Sequence, residues 1–471
     1  MTAKRCLKCS VFLTLLLYAS LSRAQTKQNQ DLDRRFQAAV ADYDAGRLAP
    51  AAAALEKLVL EVPESFEVHE LLGLIYSDQS QDAKAASHFE KAVHLNPDSP
   101  EARTNYATNL AHAGRLDLAE VQFKRAVALQ PRNYDANHDL GELYVQTGRI
   151  AAAVPYLEQA QRVNSSSYDN GYDLSLAYLV TGKLEQGRQS VAALLQQKDS
   201  PELHNLLGQI EEKDGNFVAA ANQFELAAHA DPSESNLFDW GCELLLHRTL
   251  DPAVEVFRQG SERYPNSPRL VIGLGMALYA RGNYDDAVKA LLRGADLNPS
   301  DPSCYLFLSK AFDSSPAQAD DVIERFRRFA ELQPNNARAL YYYALSLWKG
   351  KREKDPNQDL HQIESLLKKS IALDPNIAES HLQVGNLYSD QNRFTDSIPE
   401  YVRARELDPE LSDVRYRLGQ AYVRTGQKEL AQKEFEVYQK LREQHLAEIE
   451  KQRADIRQFV FSEKDSPSAK P

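Results

Sequence analysis

Two short stretches carry residue types that catalysis or cofactor binding uses, but neither has the spacing that its chemistry needs. VHELL, at residues 68–72, starts like a zinc-protease helix, yet Gly73 stands where the second histidine ligand belongs. GLGMAL, at 273–278, lacks the third glycine of a phosphate-binding loop and falls within a predicted helix. We therefore predict a protein that is not an enzyme and has no catalytic residue, metal ligand or cofactor, and we expect His69 to be an ordinary surface residue.

The cysteines do not form a disulfide framework either. Cys6 and Cys9 lie in the first 24 residues, while Cys242 and Cys304 fall inside predicted helices far apart in the chain. We expect the latter two to be buried free thiols, which behave as small apolar side chains.

The helices that would have to position any site follow a repeat. The end of most repeats is marked by a proline, which we call the closing proline. Pro63, Pro97 and Pro131 lie 34 residues apart, and the spacing resumes from Pro232 to Pro409 with one longer step. With the closing proline counted as position 32, position 8 is small, as in Gly73, Gly141, Gly208, Gly241, Gly275, Gly385 and Gly419. Position 24 is large and apolar, as in Phe89, Leu157, Phe224, Phe257, Leu291, Tyr401 and Phe435.

These positions have physical reasons. Apolar residues at i, i+3 and i+4 predict two amphipathic helices per repeat. Glycine at position 15, as in Gly114 and Gly282, would supply a left-handed end to the first helix. Small residues let the paired helices approach closely, and we expect the residue at position 24 to fill the space between neighbouring repeats. The closing proline follows the second helix because proline disrupts a helix interior.

The pattern closely resembles the tetratricopeptide repeat family. The 34-residue period, Leu-Gly pairs such as Leu72–Gly73, and tyrosine at position 11 (Tyr76, Tyr144, Tyr388 and Tyr422) all match that family. The resemblance implies an all-α, right-handed superhelical solenoid over residues 32–443. We predict twelve repeats, with starts near residues 32, 66, 100, 134, 168, 201, 234, 268, 302, 337, 378 and 412.

The ends of the array are predicted to differ from its interior. Residues 25–31 are predicted as a linker, residues 351–359 as an exposed polar loop and residues 463–471 as a disordered tail. Residues 429–460 read as one long helix that overlaps the last repeat. This helix would cap the stack or, alternatively, dock a partner.

Residues 1–24 have the order of a secretory signal peptide: basic residues, a short apolar run and small residues before a cleavage point. The alternative is an uncleaved membrane anchor. Removing this segment would take away four positive charges and no acid, and the net charge would change from −12 to −16. We therefore expect an exported protein, periplasmic or secreted, with no integral membrane segment after cleavage. The chain has no dense basic cluster, so nucleic acid is not expected as a partner.

The resemblance implies an inner groove lined by positions 2, 5, 9, 12 and 13 of each first helix. In repeats two to four these positions are mostly polar and acidic, with Glu70, His138 and Glu142 among them. In the middle repeats they are largely apolar. The predicted partner-binding residues are Tyr172, Leu176, Leu179, Phe238, Leu245, Ile272, Met276, Tyr279, Tyr341, Leu345 and Trp348.

An apolar stripe has two explanations. Exposed, it would bind an apolar or aromatic stretch of a protein or peptide partner. Alternatively, the same side chains pack against one another inside the array. We predict a non-catalytic scaffold that binds a partner polypeptide outside the cytoplasm. A component of an envelope secretion or exopolysaccharide export machine and a direct glycan binder are the alternatives.

Overall fold

A computed structural model describes residues 23–315, 318–352 and 360–444, and their regular structure consists of 24 α-helices. The helices are α1 (Arg23–Asp44), α2 (Leu48–Glu61), α3 (Phe66–Asp78), α4 (Asp82–Leu95), α5 (Pro100–His112), α6 (Leu116–Leu129), α7 (Tyr134–Gln146), α8 (Ile150–Val163), α9 (Tyr168–Thr181), α10 (Leu184–Leu195), α11 (Pro201–Lys213), α12 (Phe217–Ala230), α13 (Glu234–Leu246), α14 (Leu250–Arg263), α15 (Pro268–Arg281), α16 (Tyr284–Leu297), α17 (Pro302–Ser314), α18 (Ala319–Leu332), α19 (Ala337–Arg352), α20 (His361–Leu373), α21 (Ala378–Asp390), α22 (Phe394–Leu407), α23 (Ser412–Arg424) and α24 (428–444).

The chain divides into two compact units, an N-terminal unit of residues 1–199 and a C-terminal unit of residues 200–471. Within each unit the helices pack as hairpins, in which the first helix of a repeat contacts the second. The second helix also contacts the first helix of the next repeat, and most consecutive first helices touch. Each helix is therefore held by its near neighbours in sequence, which is the packing of an all-α repeat fold.

The first helices start at regular intervals. From α3 at Phe66 to α23 at Ser412, each starts at the residue where the sequence period places a repeat. The first of them, α1, starts at Arg23 and runs through residues 25–31, where a linker is predicted. That stretch contains no glycine or proline that would stop a helix. The rest of the predicted leader, most of the loop at 351–359, residues 445–460 of the long helix and the tail at 463–471 lie outside the described residues.

In ten repeats the first helix ends with position 15 in a left-handed backbone conformation. At this position Gly46, Gly114, Gly148, Gly182, Gly215, Gly282 and Gly426 have φ between 73° and 92°. Three repeats adopt the same conformation without glycine, at Ser80, Arg248 and Asn392, with φ of 58°, 57° and 62°. The turn is thus a property of the repeat geometry, and glycine is the residue that adopts it with least strain.

The small residue at position 8 lies directly under the large residue at position 24. A Cβ atom placed on Gly73 would lie 2.6 Å from the ring of Phe89, and one on Gly141 would lie 2.5 Å from Leu157. Both pairs join the two helices of one repeat, whereas the sequence predicts that position 24 fills the space between neighbouring repeats. Phe257 does both, because it also packs against Gly273 of the next repeat. The prediction was incomplete, since spacing alone does not assign a side chain to one of two helices.

The closing prolines serve as hydrogen-bond acceptors. In six repeats the side chain at position 4 of the next first helix approaches the proline carbonyl oxygen at 2.8–3.4 Å. The pairs are His69–Pro63, Arg103–Pro97, Asn137–Pro131, Tyr305–Pro299, His381–Pro375 and Arg415–Pro409. His69 is therefore buried at a junction between repeats and is not a surface residue as expected.

Candidate functional site

The first helices of consecutive repeats form the surface on which a site is predicted. Since most of these helices touch within each compact unit, the side chains that point away from the second helices lie side by side. These side chains come from positions 2, 5, 9, 12 and 13, and also from position 6, which the sequence analysis leaves out. The two units differ in what they place there, so each is described separately.

In the N-terminal unit, carboxylates from three first helices form what we call the acidic face, namely Glu70, Asp139, Glu142 and Asp173. Two side chains of α5 connect its members. Asn105 Nδ2 donates a hydrogen bond to Glu70 Oε1 at 2.5 Å, and Thr108 Oγ1 donates to Asp139 Oδ2 at 3.0 Å. Both bonds run from one repeat to the next, so they hold α3, α5 and α7 in register.

His138 lies within the acidic face. Its Nδ1 atom is 3.2 Å from Asn170 Oδ1, and its ring stacks on Tyr134 with the ring centroids 5.5 Å apart. Asn170 Nδ2 donates to the Leu157 carbonyl at 3.0 Å. Because this bond directs the amide oxygen of Asn170 towards His138, it favours a proton on His138 Nδ1.

One potential metal-ligand group occurs among the described residues. Ligand atoms of His138, Asp139 and Glu142 lie within 4.8 Å of one another. The sequence predicts no metal ligand, because it has no cysteine or histidine cluster with ligand spacing and because acidic residues on repeat helices are usually solvated. The structure brings together the donor types that divalent cations accept, but it gives no coordination geometry.

Burial raises the pKa of two members of the acidic face. The pKa of Glu70 rises to about 7, mainly through burial; the hydrogen bond from Asn105 opposes this rise and the charge of Glu101 adds to it. The pKa of Asp173 rises to about 6, again mainly through burial, and His138 is the neighbour that opposes the rise. These acids are thus placed where their charged forms are poorly solvated.

Sequence reasoning found this face only in part. Glu70, His138 and Glu142 stand at positions expected in a groove, whereas Asp139 and Asp173 stand at position 6. The available signal was the near absence of lysine and arginine from the first helices of repeats two to five.

In the C-terminal unit, half-buried apolar side chains of four consecutive first helices form what we call the apolar stripe. It consists of Phe238, Leu245, Met276, Tyr279, Phe307 and Leu345, all packed against the main hydrophobic core of this unit. Phe307 was missed by the sequence analysis because it stands at position 6. Its ring meets that of Tyr279 edge-on, with the ring centroids 6.3 Å apart.

Three predicted groove residues of this unit lie deeper than the stripe. Ile272, Tyr341 and Trp348 are only 5%, 8% and 7% exposed and belong to the core itself. The stripe packs against this core. Position in the repeat predicts their direction but not their depth, because depth depends on the size of the neighbouring side chains.

The remaining predicted groove residues lie on α9 of the N-terminal unit. Tyr172 and Leu176 are half-buried, and Leu179 is buried. They are described apart from the apolar stripe because they belong to the other compact unit.

Both described cysteines are free thiols held in protonated form. Burial raises the pKa of Cys242 and of Cys304 to about 12. Cys304 Sγ also donates to the Leu291 carbonyl at 3.2 Å. Neither thiol has the lowered pKa that nucleophilic chemistry requires.

Comparison with protein families identifies the repeat. Tetratricopeptide repeat models match residues 36–100, 76–133, 110–164, 172–235, 244–311 and 412–445, and a TPR repeat model matches residues 385–426. Together these matches cover more than half of the chain. The chain belongs to the tetratricopeptide repeat family. The repeats support the role of a protein–protein interaction scaffold.

Individual relatives are distant. The TPR repeat-containing protein YpiA of Bacillus subtilis (strain 168) is 26% identical over 189 residues, which are 40% of this chain and 42% of YpiA. The solved structure of Naa15/Naa10 bound to HypK-THB is 17% identical and matches with a TM-score of 0.40 over 86% of this chain and 68% of that one. The C-terminal part of a TPR repeat-containing protein from Cytophaga hutchinsonii is 15% identical. It matches with a TM-score of 0.43 over 52% of this chain and 97% of that one.

Within the described part of the chain, no helix is both long enough and apolar enough to cross a membrane.

Proposed function

We propose that the chain is a non-catalytic scaffold that binds an apolar or aromatic stretch of a partner polypeptide along the apolar stripe of its C-terminal unit. The observation that carries this proposal is the run of half-buried side chains on consecutive first helices, including Phe238, Met276 and Tyr279. Large apolar side chains that keep part of their surface exposed in one row are typical of interaction sites. In tetratricopeptide repeat proteins the corresponding first-helix positions form the inner, ligand-facing surface, which supports the proposal.

The stripe has the layout of a binding site with a rigid floor. Tyr341 and Trp348 belong to the buried core against which the half-buried side chains of the stripe pack, and we call these two residues its floor. Aromatic and methionine side chains that are held in this way contribute much of the affinity at protein interfaces. The partner would add its own apolar side chains between them and remove the remaining exposed area from water.

The proposal can be tested by affinity capture from extracts of the source cells. The variant Phe238→Ala/Met276→Ala/Tyr279→Ala removes three members of the stripe. The matched control Leu226→Ala/Leu332→Ala/Leu373→Ala removes three exposed apolar side chains from second helices, where they are 47%, 54% and 40% exposed. We expect a protein captured by the wild type and by the control to be lost from the stripe variant. Equal capture by all three proteins would refute the proposed site.

A second variant separates the stripe from its floor. Because Tyr341 and Trp348 are buried, Tyr341→Ala/Trp348→Ala should lower the stability of the C-terminal unit, with about 3–5 kcal/mol lost for each large side chain removed. Thermal unfolding followed by circular dichroism measures this loss. A variant that keeps the wild-type melting temperature but no longer captures the partner would show that these two side chains contact the partner directly.

We further propose that the scaffold acts outside the cytoplasm. The support is the basic, apolar and small-residue order of residues 1–24. Expression of the full chain followed by cell fractionation and N-terminal sequencing should give an exported protein that starts at Gln25. An intracellular protein that retains residues 1–24 would contradict this part of the proposal.

A further inference from the structure

The first helices of repeats two to five have an unusual balance of charge. Helices α3, α5, α7 and α9 together contain nine acidic residues, one arginine and no lysine. The single arginine, Arg103, is directed elsewhere: its Nε donates to the Pro97 carbonyl at 2.8 Å, and its Nη1 donates to Gln122 Oε1 at 2.7 Å. These helices therefore supply almost no positive charge to offset their own acids.

Some of these acids have an ordinary structural role. Glu67, Glu101, Asp135 and Asp169 stand in the first turn of their helices, where a negative charge interacts favourably with the helix dipole. Asp78, further along α3, accepts a hydrogen bond from the hydroxyl of Tyr43 at 2.9 Å. The four carboxylates of the acidic face lie beyond the first turns and need another explanation.

The acidic face is not fully satisfied by the protein. Glu70 Oε2 is buried, and no donor among the described residues reaches it. A buried carboxylate oxygen without a hydrogen-bond partner costs free energy that a ligand can recover. The raised pKa of Asp173 points in the same direction, because burial outweighs the one favourable neighbouring charge, that of His138.

We propose that the acidic face binds a cationic segment of a partner polypeptide, with lysine or arginine side chains reaching Glu70 and the group formed by Asp139, Glu142 and Asp173. This inference rests on the proposed function, since it assumes that the chain is a polypeptide-binding scaffold. It adds the chemistry of a second contact surface and of the segment that this surface recognises.

A basic segment fits this arrangement better than a single cation does. The acids are spread over three first helices, with the neutral donors Asn105 and Thr108 between them. One metal ion at His138, Asp139 and Glu142 would leave Glu70 uncompensated, whereas successive basic side chains reach both places. Tyr172 and Leu176, half-buried on α9 near Asp173, offer apolar area to the stems of such side chains.

The test uses the full chain and a fluorescein-labelled peptide of six Lys-Ser repeats. Binding is followed by fluorescence anisotropy at about pH 8 and about 50 mM NaCl, where exposed charges are weakly screened. We expect saturable binding that the variant Asp139→Asn/Glu142→Gln/Asp173→Asn weakens about tenfold, because each lost carboxylate removes an attractive contact. The single variant Glu70→Gln should weaken binding as well.

A matched control separates local recognition from long-range attraction by an acidic protein. Glu90→Gln/Asp117→Asn/Glu185→Gln removes the same charge from the second helices α4, α6 and α10. This control should bind the Lys-Ser peptide within about twofold of the wild type. Equal weakening by both triple variants, or equal binding of a peptide of six Glu-Ser repeats, would overturn the inference.

Two further measurements complete the test. Titration calorimetry with zinc chloride in place of the peptide examines the metal alternative: zinc binding that needs the Asp139 group, together with absent peptide binding, would make the site a metal site and the inference wrong. Melting temperatures show whether each variant is folded. If the triple variant is unfolded, the peptide affinities of the single variants Glu70→Gln and Glu142→Gln are used for the test instead. Partner capture that depends on the apolar stripe, without peptide binding here, would leave the proposed function standing and refute this inference alone.

Discussion

Tyrosine at position 11 joins one repeat to the next through its hydroxyl group. In four repeats this hydroxyl donates to a glutamate on the second helix of the preceding repeat. The pairs are Tyr76–Glu56, Tyr144–Glu120, Tyr178–Glu158 and Tyr388–Glu364. A cation also lies over each ring; for example, the guanidinium of Arg149 is 4.6 Å from the ring centroid of Tyr144. Tyr76, Tyr144 and Tyr388, which carry the family resemblance, and Tyr178 at the same position therefore join neighbouring repeats through polar contacts.

The network around Glu120 makes the stability of the fold depend on pH. The hydrogen bond from Lys124 is the largest of the effects that lower the pKa of Glu120 to about 2; hydrogen bonds from Arg149 and Tyr144 add to it, and burial opposes them. A carboxylate with a lowered folded-state pKa stabilises the protein above its unfolded value of about 4.3, and this stabilisation is lost as the pH falls towards 2. Glu120→Gln should therefore cost about 1 kcal/mol at neutral pH, since the exposed cations are partly screened.

Thermal unfolding at several pH values measures this effect. The gap in melting temperature between the wild type and Glu120→Gln should be largest near pH 7 and should shrink between about pH 4.3 and pH 2. Glu90→Gln, on second helix α4, is the control for loss of one negative charge. A gap that stays constant down to pH 2 would show that the ionised form of Glu120 contributes nothing.

At the scale of the helix and its turn, ten of the hairpins need one residue in a left-handed backbone conformation. In these ten repeats position 15 has a positive φ, and in three of them it is not glycine. Arg248 carries a long side chain in this conformation, with φ of 57°, which a Cβ atom makes unfavourable. The repeat that contains it must therefore hold this turn at some cost.

Replacing this residue should raise stability. Arg248→Gly removes the Cβ atom from a left-handed position and should stabilise the α13–α14 hairpin by about 1 kcal/mol. The reverse change, Gly282→Ala in the next repeat, has open space around its Cβ position and φ of 92°, so it should destabilise by backbone strain alone. Denaturant unfolding of both variants checks the signs. Stabilisation by Gly282→Ala would contradict this account of the turn.

Sequence reasoning predicts this level of structure well and the contacts between side chains less well. The spacing of Pro97, Gly114 and Pro131 indicates where helices and turns lie, because backbone requirements depend on residue type. The depth of Tyr341 and the addition of Phe307 to the stripe depend on which neighbour each side chain meets. The junction donors at position 4 were missed because His69, Arg103 and Tyr305 share no residue type, only the ability to donate a hydrogen bond.

At the scale of the whole molecule, the chain uses one backbone plan to present two different chemistries. First helices of the N-terminal unit present the acidic face, and those of the C-terminal unit present the apolar stripe. Both surfaces come from the same repeat positions, so the fold leaves these positions open to variation while it constrains the small residue at position 8 and the large residue at position 24. Recognition can therefore change without a change in architecture.

Because the described helices contact mainly their near neighbours in sequence, the destabilisation caused by one substitution should extend over only a few repeats. A Cβ atom on Gly73 would clash with Phe89, so Gly73→Ala should destabilise its hairpin by about 1–3 kcal/mol. In a repeat array the loss should stay near the altered repeat. Hydrogen exchange followed by mass spectrometry should show faster exchange in α3 and α4 and their neighbours, with α21 and α22 unchanged. Uniformly faster exchange along the chain would instead indicate one fully cooperative unit.

The junctions at the closing prolines bear on how such a sequence can evolve. The acceptor in each junction is a backbone carbonyl, which no substitution removes, and histidine, arginine, asparagine and tyrosine all serve as donors to it. Neutral drift can therefore exchange one donor for another without loss of the hydrogen bond between repeats. The residue type at such a position can change many times while the hydrogen bond is kept. Relatives with the same architecture are therefore expected to retain little sequence identity there.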